Sequence, residues 1–142
     1  MMSLDSLEPT NSFCTIKQVM MNEFLKPSKV DKVWGYELIV HNEPNYCGKI
    51  LFIKKGHCIS LQYHKLKTET FYLQSGELLC KFSEKESFVS PEETNVVKMK
   101  PGDVREIPIG YIHQVFAVED STIIEFSTQH FDDDTYRLSR TF

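Results

Sequence analysis

The sequence predicts an all-β protein, a small antiparallel β-barrel, and three observations predict it. Short runs alternate apolar and polar side chains with the period of two that a strand imposes. Clusters of turn-forming residues separate those runs at close, regular intervals. No stretch calls for an amphipathic helix longer than a few turns. At 142 residues and 41% hydrophobic content, the chain suits a single core and one domain.

Residues 1–31 read as an N-terminal arm and 32–142 as the barrel. Within the arm, Pro9 and Pro27 are breaks, and 14–21 fits either a short strand or a helical turn. Phe13, Ile16, Val19, Met20 and Phe24 are too much apolar area for a loose arm, so it packs either on its own barrel or across a homodimer interface. From Trp34 the predicted strands are 34–41, 49–55, 58–64, 68–73, 77–82, 96–99, 105–107 and 112–128, the last broken near 117–120. Glu43-Pro-Asn45, Lys55-Gly56, Ser75-Gly76 and Lys100-Pro-Gly-Asp103 supply the turns. The charged stretch 83–94 reads as a solvated loop.

One run carries polar side chains where a core would be expected. Ser60, Gln62 and His64 alternate with Ile59, Leu61 and Tyr63, so the polar set shares a face. Glu69, Phe71 and Leu73 share a face of the next run, which places Glu69 beside Gln62 and His64. His113 follows Pro108 and Gly110 at the head of another run. Gln62, His64, Glu69 and His113 together offer two imidazoles, one carboxylate and one amide oxygen, a mixed nitrogen and oxygen set without thiolate. Such a set suits one divalent transition metal (zinc, manganese, iron, cobalt or nickel) and leaves coordination positions open.

Gly56, His64, Glu69 and Gly76 resemble the first motif of the cupin superfamily (glycine, five residues, His-x-His, three or four residues, Glu, six residues, glycine). Gly102, Pro108, Gly110 and His113 resemble its second motif (glycine, five residues, Pro-x-Gly, two residues, His). Gln62 stands in place of the first motif's leading histidine, and Ala117 where the second often ends in asparagine. Gln-x-His with a following Glu and a distant His is similar to the ligand set of phosphomannose isomerases and related sugar-isomerase cupins. Lys32-Val-Trp-Gly-Tyr-Glu37, Ser60-Leu-Gln-Tyr-His64, Glu125-Phe-Ser-Thr128 and Asp133-Asp-Thr-Tyr-Arg-Leu138 resemble the flanking signatures of those proteins. Val33 replaces their usual proline, and the chain ends Ser139-Arg-Thr-Phe142 where a Tyr-Gly-Arg often follows.

The resemblance implies a jelly-roll barrel and a metal-dependent sugar or sugar-phosphate isomerase, with a non-catalytic sugar-binding or sugar-nucleotide-pathway accessory as the alternative. Three imidazoles would be expected of an iron-dependent dioxygenase, and Gln62 argues against that class. Under the isomerase reading Glu125 orients the site or takes the proton, and Lys67 and Arg137 meet a sugar hydroxyl or a phosphate. Their other reading is structural: Lys67 as a strand-end charge, Arg137 as a partner for the acidic run 132–134. Trp34 either stacks on a sugar ring or packs in the core. His41, His57 and His130 read as surface or supporting residues, with His57 expected nearest the site.

A net charge of -4 without a basic cluster argues against a nucleic-acid surface. No apolar run approaches the ~20 residues a membrane helix needs. Cys14, Cys47, Cys58 and Cys80 form no Cys-x-x-Cys pair, and no signal-peptide core precedes them, so reduced thiols and a cytoplasmic location are expected. Cys58 falls in the same alternating register as Ser60 and Gln62 and is expected at the border of the cavity or in the core.

Overall fold

The computed structural model describes residues 23–142. The expected dimer contact of the arm, Cys14 and the strand-or-helix alternative over 14–21 lie outside those residues. Eleven strands follow in order: β1 Ser28–Lys32, β2 Gly35–Glu43, β3 Tyr46–Ile53, β4 Leu61–Tyr63, β5 Glu69–Ser75, β6 Leu78–Ser83, β7 Val96–Met99, β8 Val104–Ile107, β9 Ile112–Ala117, β10 Ser121–Ser127 and β11 Tyr136–Ser139. Among the described residues there is no α-helix, only two single 3-10 turns, Lys85–Ser87 and Asp132–Asp134. None of these is long and apolar enough to cross a membrane.

The strands form two antiparallel sheets, β1-β2-β3-β10-β5-β8 and β11-β4-β9-β6-β7, packed face to face as a jelly roll. The ladders do not close into one continuous barrel. The predicted run 112–128 divides at 117–120 because its halves belong to different sheets: β9 pairs with β6 and β4, β10 with β3 and β5. β1 extends the sheet back to Ser28, inside the segment expected to be arm. It escaped the sequence pattern because Val30 is its one apolar residue, as suits an edge strand. β11 is a second edge strand, of four residues, paired with β4. The expected strand 58–64 is regular only at its end; before that, Cys58 makes an isolated bridge to Phe116.

Strand alternation turns Leu51, Ile53, Phe71, Leu73 and Ile123 into the space between the sheets, where they meet Ile59, Leu78, Cys80 and Val115. The same alternation turns Lys49, Glu69 and Glu125 inward at the other end of the sheet. The sandwich therefore has an apolar half and a polar half. Gly76 permits the return from β5 to β6: its φ is +95°, and a Cβ there would collide with Ser121 and the Asp120 carbonyl.

Candidate metal centre

Three strands deliver three donors to one point. His64 directly follows β4, Glu69 opens β5, and His113 is the second residue of β9. All three are at most 3% exposed. His113 Nε2 lies 2.9 Å and His64 Nε2 3.4 Å from Glu69 Oε1, and the donor atoms of the three residues lie within 4.8 Å of one another.

The tautomers follow from the other ring nitrogens. His64 Nδ1 is 3.0 Å from the Asp134 carbonyl and His113 Nδ1 is 3.0 Å from the Tyr111 carbonyl. A carbonyl only accepts, so each Nδ1 carries the proton and donates it, which leaves the Nε2 lone pairs facing inward. Those two nitrogens and Glu69 Oε1 are buried without a hydrogen-bond partner, because even the 2.9 Å approach is misaligned. Three buried lone pairs turned on one another repel unless a cation lies among them, so the residues fit a metal ion. Burial alone would raise the Glu69 carboxyl, but positive charge and N–H groups at His113 and His64, when their Nε2 atoms carry protons, together with the Lys67 charge outweigh it and hold the group well below the usual carboxylate range; a cation at the same point would take the place of those protons. Gln62 lines the same cavity and lies opposite His113 in the β4–β9 register. Its Oε1 accepts from Ser60 Oγ at 2.7 Å and keeps a second lone pair.

Lys67 is not a strand-end charge at the surface. It is 3% exposed, with Nζ 2.9 Å from Glu69 Oε2, 3.3 Å from Glu125 Oε2 and 3.2 Å from His130 Nδ1. Burial opposes its charge, yet the two carboxylates raise its pKa. Glu125 is 3% exposed beside Lys67; burial and the Glu69 charge raise its pKa, with Lys67 and Lys49 pulling back. Arg137 lines the cavity mouth, exposed, opposite Gln62. Among the described residues it pairs with none of Asp132, Asp133 or Asp134. Asp132 instead meets His130, and Asp134 accepts the backbone N–H groups of Lys65, Leu66 and Lys67 at 2.9 to 3.2 Å. Trp34 both lines the cavity and packs against the core.

His130, not His57, is the histidine beside the site. His57 is exposed and bonds the Lys55 carbonyl. Burial, Lys49 and Lys67 push His130 down to about 4. Lys49 and Asp134 were also missed in the sequence. Asp134 was read only as part of an acidic run facing Arg137, and Lys49, at the head of the expected strand 49–55, read as a surface charge. The whole cavity has a volume of about 610 Å³.

No family profile and no curated protein matches the chain. Solved structures do. The capsular polysaccharide assembling protein CapF from Staphylococcus aureus superposes with a TM-score of 0.68 at 21% identity, over 82% of this chain and 35% of that one. An oxalate decarboxylase variant from B. subtilis gives 0.67 at 18%, over 79% and 30%. KdgF from Halomonas sp. gives 0.60 at 19%, over 75% and 89%. This chain thus spans about a third of the first two and most of the third.

Proposed function

We propose, on the premise that the chain has the cupin fold of these structures, that it is a metal-dependent isomerase of a sugar or sugar phosphate. The observation that carries the reading is the convergence of three unpartnered buried lone pairs next to the buried Lys67–Glu125 pair. His64, Glu69 and His113, with Gln62, would hold the divalent ion. Bound there, it would supply Lewis-acid polarisation of a carbonyl oxygen.

The remaining work belongs to this chain's side chains. Aldose–ketose interconversion moves one proton between C2 and C1 and needs a base that takes it and gives it back. Glu125 receives its hydrogen bonds from Lys67 and Ser127 on Oε2, so Oε1 is the oxygen that takes the proton. A raised pKa suits that role, since a stronger base still ionises near neutrality. Lys67 fixes both carboxylates and presents positive charge to the oxygen on which negative charge develops. Arg137, in water at the mouth, draws an anionic substrate inward. The name of CapF ties a similar fold to polysaccharide assembly, which supports a carbohydrate ligand. The reading places the enzyme in the cytoplasm, where Cys47, Cys58 and Cys80 stay free thiols, and pairs it as a homodimer.

The test is deuterium exchange. Incubating metal-loaded protein with aldoses and their phosphates in deuterated water is expected to place deuterium at C2 of the true substrate. Affinity without exchange or isomerisation would replace the enzyme by a sugar-binding module.

A further inference from the structure

At its polar end, the inner face of the six-stranded sheet carries a lysine that the proposed reaction does not use. Lys49 lies on β3 opposite Glu125 of β10, is 3% exposed, and lines the cavity. A desolvated ammonium is costly unless its N–H groups are bonded. Lys67 meets that need with carboxylates at 2.9 and 3.3 Å. Lys49 is held less closely and faces the cavity: among the described residues its one carboxylate partner is Glu37, whose Oε2 stands 3.7 Å away, beyond hydrogen-bond length. Glu125, though opposite in register, turns its Oε2 to Lys67 and Ser127.

Charge balance points the same way. The cavity is lined by five basic and four acidic side chains, and a divalent ion at His64, Glu69 and His113 would tip it further toward positive. Arg137 and Arg140 stand exposed at its mouth, where water screens them; Lys49, 3% exposed, is screened less. β3 and β5 flank β10 on either side, so Lys49 is two strand spacings, about 10 Å, from the strand that carries Glu69. A ligand held at the metal centre that extends across Glu125 along this face reaches Lys49 with its far end.

We propose that Lys49 is a specificity-determining residue that binds a carboxylate or phosphate at the end of the substrate remote from the metal centre. It makes the cavity selective for anionic sugars over neutral ones. This deepens the isomerase reading and rests on it for the sugar, but not for the anion site itself.

Calorimetric titration of metal-loaded protein tests it, with a neutral sugar, its phosphate and its uronic acid as matched ligands and inorganic phosphate as the sugar-free probe. Wild type is expected to bind the charged sugars about ten-fold or more tightly than the neutral one. Lys49→Met should erase that preference and weaken inorganic phosphate about as much, with metal content and neutral-sugar affinity unchanged, while Lys49→Arg should keep the preference. Glu37→Gln, which removes the opposing charge without emptying the site, should strengthen anion binding and gives a reading of opposite sign if Lys49→Met fails to fold. Phosphate bound by wild type and weakened by Lys49→Met, with no sugar bound, would keep the anion site and overturn the isomerase reading. Equal phosphate affinity in wild type and Lys49→Met, or unchanged affinity in Glu37→Gln, would overturn the site whatever the sugars do. Carboxylate and phosphate arms that differ identify which anion it takes.

Discussion

Glu125 stands between opposing pulls: burial and the nearby Glu69 charge raise its pKa, and Lys67 and Lys49 restrain it. As the base it must be ionised, so kcat/KM is expected to fall with decreasing pH at a midpoint above the ordinary carboxylate value of about 4.3. Lys67→Met removes one restraint and should move that midpoint higher still. A midpoint that stays put would separate Lys67 from the base. Glu125→Gln should lower turnover about a hundred-fold or more while retaining metal; loss of metal as well would make Glu125 a support for the ligands. His130 gives a stability signature instead. Its folded value of about 4 lies below its ordinary 6.5, so the unfolded chain takes up the proton first as pH falls. The stability it contributes is complete above about 6.5 and is lost between there and 4. Denaturant unfolding at pH 7 and pH 5 should show a drop in wild type that His130→Gln reduces; an equal drop in both would contradict the burial assigned to this ring.

Among the elements, the loop from β4 to β5 carries the site, and Asp134 clamps it from the far end of the chain. Its carboxylate takes three successive backbone N–H groups and its carbonyl takes the His64 proton. Asp134→Ala leaves those donors, of which only Lys67 N–H is fully buried, without their acceptor and should cost about 2 kcal/mol by urea unfolding, with weaker metal binding; Asp134→Asn keeps an acceptor and should cost less. A loss under about 1 kcal/mol for the alanine variant would mean that the loop holds itself. Such an element is hard to read in a sequence because its partners lie about seventy positions away. What was legible was local. Alternation placed Ser60, Gln62 and His64 together and Glu69 beside Phe71, and the turn glycines fixed where strands end. β1 and β11 stayed hidden because edge strands carry little apolar pattern. Lys49 and His130 stayed hidden because a lysine between Gly48 and Ile50, or a histidine after β10, looks like a surface residue until the sheets are stacked.

For the molecule as a whole, the outer face of the larger sheet calls for a partner. The register aligns Leu38, Ile50, Ile124, Tyr72 and Val104 in one uncharged row across five strands, and no described element covers it. Val104 and Phe126 are 61% and 57% exposed. A row of uncharged, half-buried side chains with Val104 and Phe126 exposed beside it suits pairing with a second copy. Light scattering is expected to give a dimer, and Ile124→Glu a monomer with its cavity intact; a monomeric wild type would contradict this. The metal centre also acts on the whole molecule, since an ion bound only by the folded chain stabilises that fold. The most direct measurement is elemental analysis of purified wild type beside His64→Ala and His113→Ala. About one divalent transition-metal ion per wild-type chain is expected, with little or none in either variant. Equal metal content in all three, or a metal-free wild type that takes up none when offered, would contradict the metal centre and the chemistry built on it.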